Sequence, residues 1–319
     1  YLVNNSEEIS RLILQDLKSI PKTYEFFIDI GEDLREILPD SIELSENIVL
    51  IPSGELLNKD YPVKEEKDLL TLGLGGEISY WRIDKCYLKV SLEGYVAKVL
   101  DSNTFHDAAD VAKSVIGLLI ASNVYPSLGY LNQVETMSMR VFESGTSDQP
   151  YREKKINNFG ISNLQLPISL KVLTQEQKEG VFDSKLREIQ KVMVQVNKYK
   201  DRLCTASRWY FDSLSNDNNL LSFVQLTTCL EILLARGAKK LGMSITSLMQ
   251  NRCAYMLENS AEGRDLLMDE ISDIYSIRSR IVHNGKSRLN KSELNALDGL
   301  RSLVDRLLVH ELKQVASNP

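Results

Sequence analysis

Two rhythms of apolar and polar positions divide the chain. Up to about Gln175, short runs rich in β-branched and aromatic residues alternate with turn residues. The runs at 24–30, 47–51, 78–83, 86–92, 95–100, 137–142 and 166–173 predict the strands of a sheet. Inside this half, residues 108–121 change to helical spacing, with Ala109, Val111, Ala112, Val115, Ile116 and Leu119 apolar, so the half is mixed α/β. The stretch 143–163, rich in Ser, Gly, Asn and charge, predicts a long loop. After Gln175 helical periodicity takes over, at 183–199, 202–214, 220–236, 244–258, 264–283 and 291–313. In the last of these, Asn290 followed by Glu293 suits a helix cap. Leu294, Leu297, Leu300, Val304, Leu307 and Leu308 then form one stripe that only Glu311 interrupts. The expected fold is α+β, with a mixed α/β domain of sensory or regulatory type over residues 1–175 and an all-α helical bundle over 176–319.

Composition narrows the class. With 319 residues, 43% of them hydrophobic and 26% charged, the chain is long enough to bury a core or two and is neither fibrous nor disordered. Its formal net charge of −6 argues against a protein that coats nucleic acid along its whole length. The charge is uneven, with 17 basic against 26 acidic residues up to Gln175 and 21 against 18 after it, so positive potential sits in the helical half. The four cysteines, Cys86, Cys204, Cys229 and Cys253, form no CxxC pair and read as reduced core thiols. The most apolar stretch, 115–124, is broken by Gly117, Ser122 and Asn123 and is far shorter than the roughly 20 residues that span a bilayer. No membrane span is expected. No basic segment followed by an apolar one opens the chain, and Tyr1 as first residue suggests a trimmed N-terminus. The cytoplasm is the expected location.

Several motif fragments lack essential parts. Gly285-Lys286-Ser287 imitates the end of a phosphate-binding loop, but Arg280 stands where that loop requires Gly, and a helix, not a strand, precedes it. Gly73, Gly75 and Gly76 lack the GxGxxG spacing and suit a bend. His106-Asp107 with Asp110 resembles a metal-dependent phosphohydrolase fragment, yet the chain holds three histidines, too few for that ligand set. Glu65-Glu66-Lys67 lies in a charge run and suits a solvated loop. Neither HExxH nor GxSxG occurs.

One window stands apart, 274–286, at the end of an expected helix. Asn284-Gly285 supplies a left-handed residue that terminates helices, which puts His283 in the last turn, where carbonyl ends favour its protonated form by roughly 0.3 to 1 kcal/mol. Between Arg278 and Lys291 stand five basic residues, Arg278, Arg280, Lys286, Arg288 and Lys291, and no acidic one, so a phosphate is favoured there. Upstream, Glu231 interrupts an otherwise apolar helix, with Leu230 and Ile232 beside it. If buried, that carboxylate requires a cation, and Arg208 and Arg278 are the candidates. A solvent-facing Glu231 is the alternative.

Arg278, four residues, then His283 resembles the RxxxxH signature of HEPN ribonucleases. The surrounding blocks are most similar to the Apea-like HEPN branch: Ala206-Ser-Arg208-Trp-Tyr-Phe-Asp212, Phe223-Val-Gln-Leu-Thr-Thr-Cys-Leu-Glu231, and Tyr275-x-x-Arg278-Ser279-x-x-Val282-His283. The resemblance covers roughly residues 180–315, and Ser279 stands where many members carry Asn, Asp or His. It implies an endoribonuclease that needs no metal or cofactor, of toxin-like or antiviral role, in which two protomers bring Arg278 and His283 together across a helical homodimer. RNA carries its own nucleophile, the 2′-hydroxyl, so an imidazole to move protons and a guanidinium to meet the phosphate suffice. In that reading Ser279, Arg280, Asn284 and Glu231 support the pair, and Lys286, Arg288 and Lys291 contact RNA. The N-terminal half resembles no family and is expected to take a regulatory partner or ligand.

Spacing bears on the pairing. At about 100° per residue, Arg278 and His283 leave a regular helix roughly 140° apart, so one chain alone does not aim both at one phosphate unless the helix end distorts. The bland reading is a surface Arg and a helix-terminal His that caps carbonyls. Lys286, Arg288 and Lys291 then belong to a solvated loop, while Trp209, Tyr210 and Phe211 are packing aromatics and His106 and His310 structural residues. Two further functions stay open, a HEPN-like dimer that holds RNA or a partner protein without cutting, and a ligand-sensing adaptor.

Overall fold

In the computed structural model, residues 8–11, 14, 18, 20–30, 35, 38, 40–61, 81–96, 102–124, 137–145, 152–156, 175–196, 198–237 and 242–317 are described. The architecture is α+β with a helical C-terminal region. The strands are β1 (Lys22–Asp29), β2 (Ile42–Ser45), β3 (Ile48–Ile51), β4 (Tyr87–Gly94), β5 (Met137–Glu143) and β6 (Arg152–Ile156), with helix α1 (Glu55–Asp60) before β4 and α2 (Asn103–Ala121) after it. Then follow α3 (Gln175–Met193), α4 (Lys198–Leu214), α5 (Asn219–Leu234), α6 (Ile245–Leu257), α7 (Ala261–His283) and α8 (Lys291–Ser317).

The six strands form one sheet in the order β2-β3-β4-β1-β5-β6, and every neighbouring pair is antiparallel. β1 lies inside it and buries apolar side chains on both faces: Tyr24, Phe26 and Ile28 enter the main core, while Phe27 packs with Ile51, Leu57, Trp81, Tyr87 and Phe142 on the other side. Its register runs from Lys22 opposite Gly94 to Asp29 opposite Tyr87.

Several expectations change. Part of the expected loop 143–163 is β6, a charged edge strand (Arg-Glu-Lys-Lys-Ile) whose ladder with β5 pairs Arg140 with Glu153. β2 and α1 carried no long periodic signal and form through their neighbours. Residues 81–83 are not a strand: the Arg82 carbonyl accepts from Gly54 N–H (3.2 Å) and Lys85 N–H (3.3 Å), and the Trp81 indole donates to Tyr61 O (2.7 Å), so these groups serve loop contacts. Tyr95 and Val96 lie past the end of β4, where Tyr95 N–H donates to Thr104 Oγ1 (3.0 Å). The expected strand 166–173, the remainder of 78–83 and 95–100, and the fragments at Gly73, Gly75, Gly76 and Glu65-Glu66-Lys67 lie outside the described residues. The helix expected over 183–199 ends at Met193, and α4 begins at Lys198. Between them buried Gln195 donates to Val315 O (2.8 Å), and Lys200 Nζ donates to the terminal Met193 carbonyl (2.9 Å).

Helix α2 joins the two halves. Thirteen of its nineteen residues are buried, and its Asp110–Lys113–Ser114–Gly117 face meets α4. Lys113 Nζ is 2.8 Å from Asp212 Oδ1, Arg208 pairs with Asp110, and Ser207 Oγ donates to Ser114 O (2.7 Å). Gly117 sits so close that a Cβ there would lie 2.4 Å from Ser207 O. One apolar cluster accordingly runs from Tyr24 through Val115 and Phe211 to Val315, continuous across residue 175. On α8 the buried stripe includes Leu303 and Leu312, while Leu294 is 37% exposed and Glu311 pairs with Arg202 (2.9 Å). The cysteines are free thiols, Cys86, Cys229 and Cys253 buried, and burial pushes Cys204 up to about 11. Tyr210 and Phe211 are buried packing aromatics and Trp209 packs against the same core. No helix among the described residues is long and apolar enough to cross a membrane.

Among the polar groups of the bundle is one half-buried carboxylate. Asp305 of α8 accepts a hydrogen bond from Tyr210 of α4, and its buried Oδ1 has no partner among the described residues. Burial outweighs the Tyr210 hydrogen bond and raises this carboxyl to about 7.

Gly117→Ala is expected to lower unfolding free energy by about 1–3 kcal/mol through overpacking. Gly180→Ala, in α3 with open space at its Cβ, is expected to raise it by about 0.5–1 kcal/mol; urea melts of both variants check this pair. Because Asp305 has a higher pKa folded than its ordinary 3.8, its contribution is intact below pH 3.8 and is lost as pH rises through about 7. Asp305→Asn should therefore raise the melting temperature at pH 8 and leave it unchanged at pH 4.

Candidate nucleic-acid interface

Helix α7 is pinned by one narrow apolar line, Leu267, Ile271, Ile274 and Ile277, and most of its remaining surface is exposed. Ser260 caps its start, its Oγ accepting from Gly263 N–H (3.0 Å). At its other end Asn284 N–H donates to Arg280 O (3.2 Å), and Gly285, at φ +63°, is the left-handed residue that turns the chain away. His283 is thus the last residue of a regular helix and exposed. Among the described residues no hydrogen bond or ion pair engages its ring.

Arg278 sits one step beyond Ile277, at the border between buried line and solvent. Its Nη2 lies 3.6 Å from Glu231 Oε1 of α5, with the side chains 29% and 31% exposed. The same Oε1 accepts from the Tyr275 hydroxyl (3.2 Å), which also lies 3.2 Å from Met249 Sδ of α6. Burial first, and then the Glu231 charge, push the Tyr275 hydroxyl far above its ordinary range, so it stays a donor. Glu231 is half-buried, and its cation is Arg278; Arg208, the other candidate, is engaged by Asp110 on α2.

The rest of the basic segment divides sharply. Arg280 Nη2 donates to Glu293 Oε1 (3.0 Å) and Nη1 to Ser276 Oγ (3.1 Å). Lys286 Nζ lies 2.9 Å from Glu293 Oε2, which also accepts from Asn290 N–H (2.9 Å) while Asn290 Oδ1 accepts from Glu293 N–H (3.0 Å). The reciprocal cap expected at Asn290 and Glu293 is present, and its carboxylate does more than cap. Glu293 is only 3% exposed. Burial pushes its carboxyl up, but the Asn290 N–H and the hydrogen bonds from Lys286 and Arg280 prevail and hold it at about 2. Arg288 and Lys291 are exposed, as are Ser279 and Asn284.

Of the expected residues, the structure brings Arg278 to Glu231 and leaves His283, Arg288 and Lys291 on the surface. Arg280 and Lys286 are drawn to α8. Because α7 stays helical through His283, Arg278 and His283 diverge by roughly 140° within one chain. Sequence reasoning did not assign Tyr275 a role of its own, nor link Glu293 to the basic segment; the first shows only across three helices, and the second only once the α7–α8 connection closes. His106 is exposed on α2. No family model, curated protein or solved structure matches the chain.

The Glu293 carboxyl, depressed from 4.5 to about 2, contributes stability that is complete above pH 4.5 and lost as pH falls toward 2. Circular-dichroism melts between pH 5 and 2 should show this loss in the wild type and a shallower one in Glu293→Gln.

Proposed function

We propose that this chain is a metal-independent endoribonuclease of HEPN type, acting as a homodimer in the cytoplasm in a toxin-like or antiviral role. The observation that carries this reading is that one helix bears both a loosely held guanidinium, Arg278 on the Glu231 that also accepts from Tyr275, and an exposed imidazole, His283, at its end, with exposed Arg288 and Lys291 following in the sequence. A 3.6 Å, half-exposed ion pair exchanges its carboxylate for a phosphate at little cost. The 2′-hydroxyl attacks the adjacent phosphorus and gives its proton to an imidazole, the bond to the 5′-oxygen breaks, and the imidazolium returns a proton to that leaving oxygen. The products are a 2′,3′-cyclic phosphate and a 5′-hydroxyl. Arg278 stabilises the charge that gathers on the phosphoryl oxygens in the transition state.

The 140° divergence supports a site shared between two chains, in which Arg278 of one protomer works with His283 of the other, as a twofold axis allows. The sheet half, joined to α4 through α2, senses a trigger or restrains the nuclease. The same divergence also favours a second reading, a dimer that holds RNA without cutting it.

Incubated with RNA in EDTA, the protein should yield 2′,3′-cyclic phosphate ends and leave matched DNA intact. His283→Ala should lower the rate roughly 10²–10⁴-fold, and Arg278→Ala about 10²–10³-fold. Mixing the two inactive variants should restore cleavage, because one of the two sites in each mixed dimer keeps both groups. RNA binding with no cleavage by the wild type would favour the second reading, and absence of both would sink the two together.

A further inference from the structure

The cations that flank His283 in the sequence differ in how tightly carboxylates hold them. Arg280 and Lys286 lie 3.0 and 2.9 Å from opposite oxygens of one carboxylate, Glu293, that is buried and also receives the Asn290 N–H. Arg278 lies 3.6 Å from a half-exposed one. Arg288 and Lys291 are exposed, and no ion pair holds them among the described residues. Exchanging a half-exposed carboxylate for a phosphate costs less than exchanging a buried one. Withdrawing two cations from Glu293 would leave a buried charge unpaired, which is strongly unfavourable.

From this difference we infer that Glu293 is a specificity-determining residue: it serves as an internal counter-ion that withholds Arg280 and Lys286 from RNA, so that only Arg278, Arg288 and Lys291 meet phosphates. The inference rests on the ribonuclease reading for its ligand. The basic segment contains five cations but presents three to a single strand. A weaker polyanion grip follows, which limits retention on RNA that lacks the productive geometry and keeps release of the cut strand fast. One carboxylate also ties the last turn of α7, the connection at Lys286 and the start of α8 into one unit.

The salt dependence of binding counts the cations involved, because each phosphate neutralised on a single strand contributes about −0.7 to the slope of log K against log salt concentration. The probe is a 2′-O-methyl oligouridylate, which lacks the attacking hydroxyl, read by fluorescence anisotropy. Glu293→Gln should steepen the slope by about 1.4, two further phosphates. Lys291→Gln should make it shallower by about 0.7, whereas Lys286→Gln should match the wild type. A shallower slope in Lys286→Gln equal to that of Lys291→Gln would overturn the inference, as would an unchanged slope in folded Glu293→Gln. If Glu293→Gln does not fold, the two lysine variants decide. These slopes without cleavage of ordinary RNA would remove the nuclease reading and leave the role of Glu293 standing, whereas a wild type that does not bind the probe overturns both.

Discussion

The close approach of α2 to α4 is the constraint on which the rest of the molecule depends. A buried helix can lie between a sheet and a helical bundle only if each neighbour finds a complementary face. Here a glycine, Gly117, lets the Ser207 backbone come in, while the Ser207 hydroxyl takes up a carbonyl of α2. Charge pairs at Asp110 and Lys113 close the border of this contact. Close packing then makes the sheet and bundle one body, because interiors at crystal-like density transmit displacement and do not absorb it. α4 in turn packs on α5, which carries Glu231, so the sheet half and Arg278 are linked through contiguous side chains.

Carboxylates organise the candidate site more than its cations do. Glu231 and Glu293 are chemically identical, yet one is half-exposed and holds a single guanidinium loosely, while the other is buried and holds two cations and a backbone N–H closely. Burial makes the difference. A desolvated carboxylate must be compensated completely or not be buried at all, whereas one at the rim shares its hydration with its partner. Asp305 shows the opposite outcome in the same bundle: its Oδ1 has no partner among the described residues, and burial outweighs the Tyr210 hydrogen bond and raises its carboxyl to about 7.

The elements with long, clean periodicity were legible in the chain. β1, β4, β5 and the helices from α4 onward fall close to their expected limits because apolar spacing alone dictates which face each buries. β6 was not legible, since the five-residue run Arg-Glu-Lys-Lys-Ile carries no apolar alternation in the sequence and forms by pairing with β5. The break between α3 and α4 likewise rests on distant groups, with Gln195 reaching Val315 O on α8. At the site, the end of α7 at His283-Asn284-Gly285 and the Asn290–Glu293 cap are local features of backbone conformation, and both were readable.

By itself the sequence determined the alternation of strand and helix, the position of His283 in a last helical turn and the gathering of basic residues around it. Each of these follows from interactions among residues a few positions apart. Tertiary structure alone decided which carboxylate each cation meets: Arg208 goes to Asp110, Arg278 to Glu231, and Arg280 and Lys286 to Glu293. The physical reason is that Coulomb pairing depends on distance and burial, and both are set by how whole helices pack.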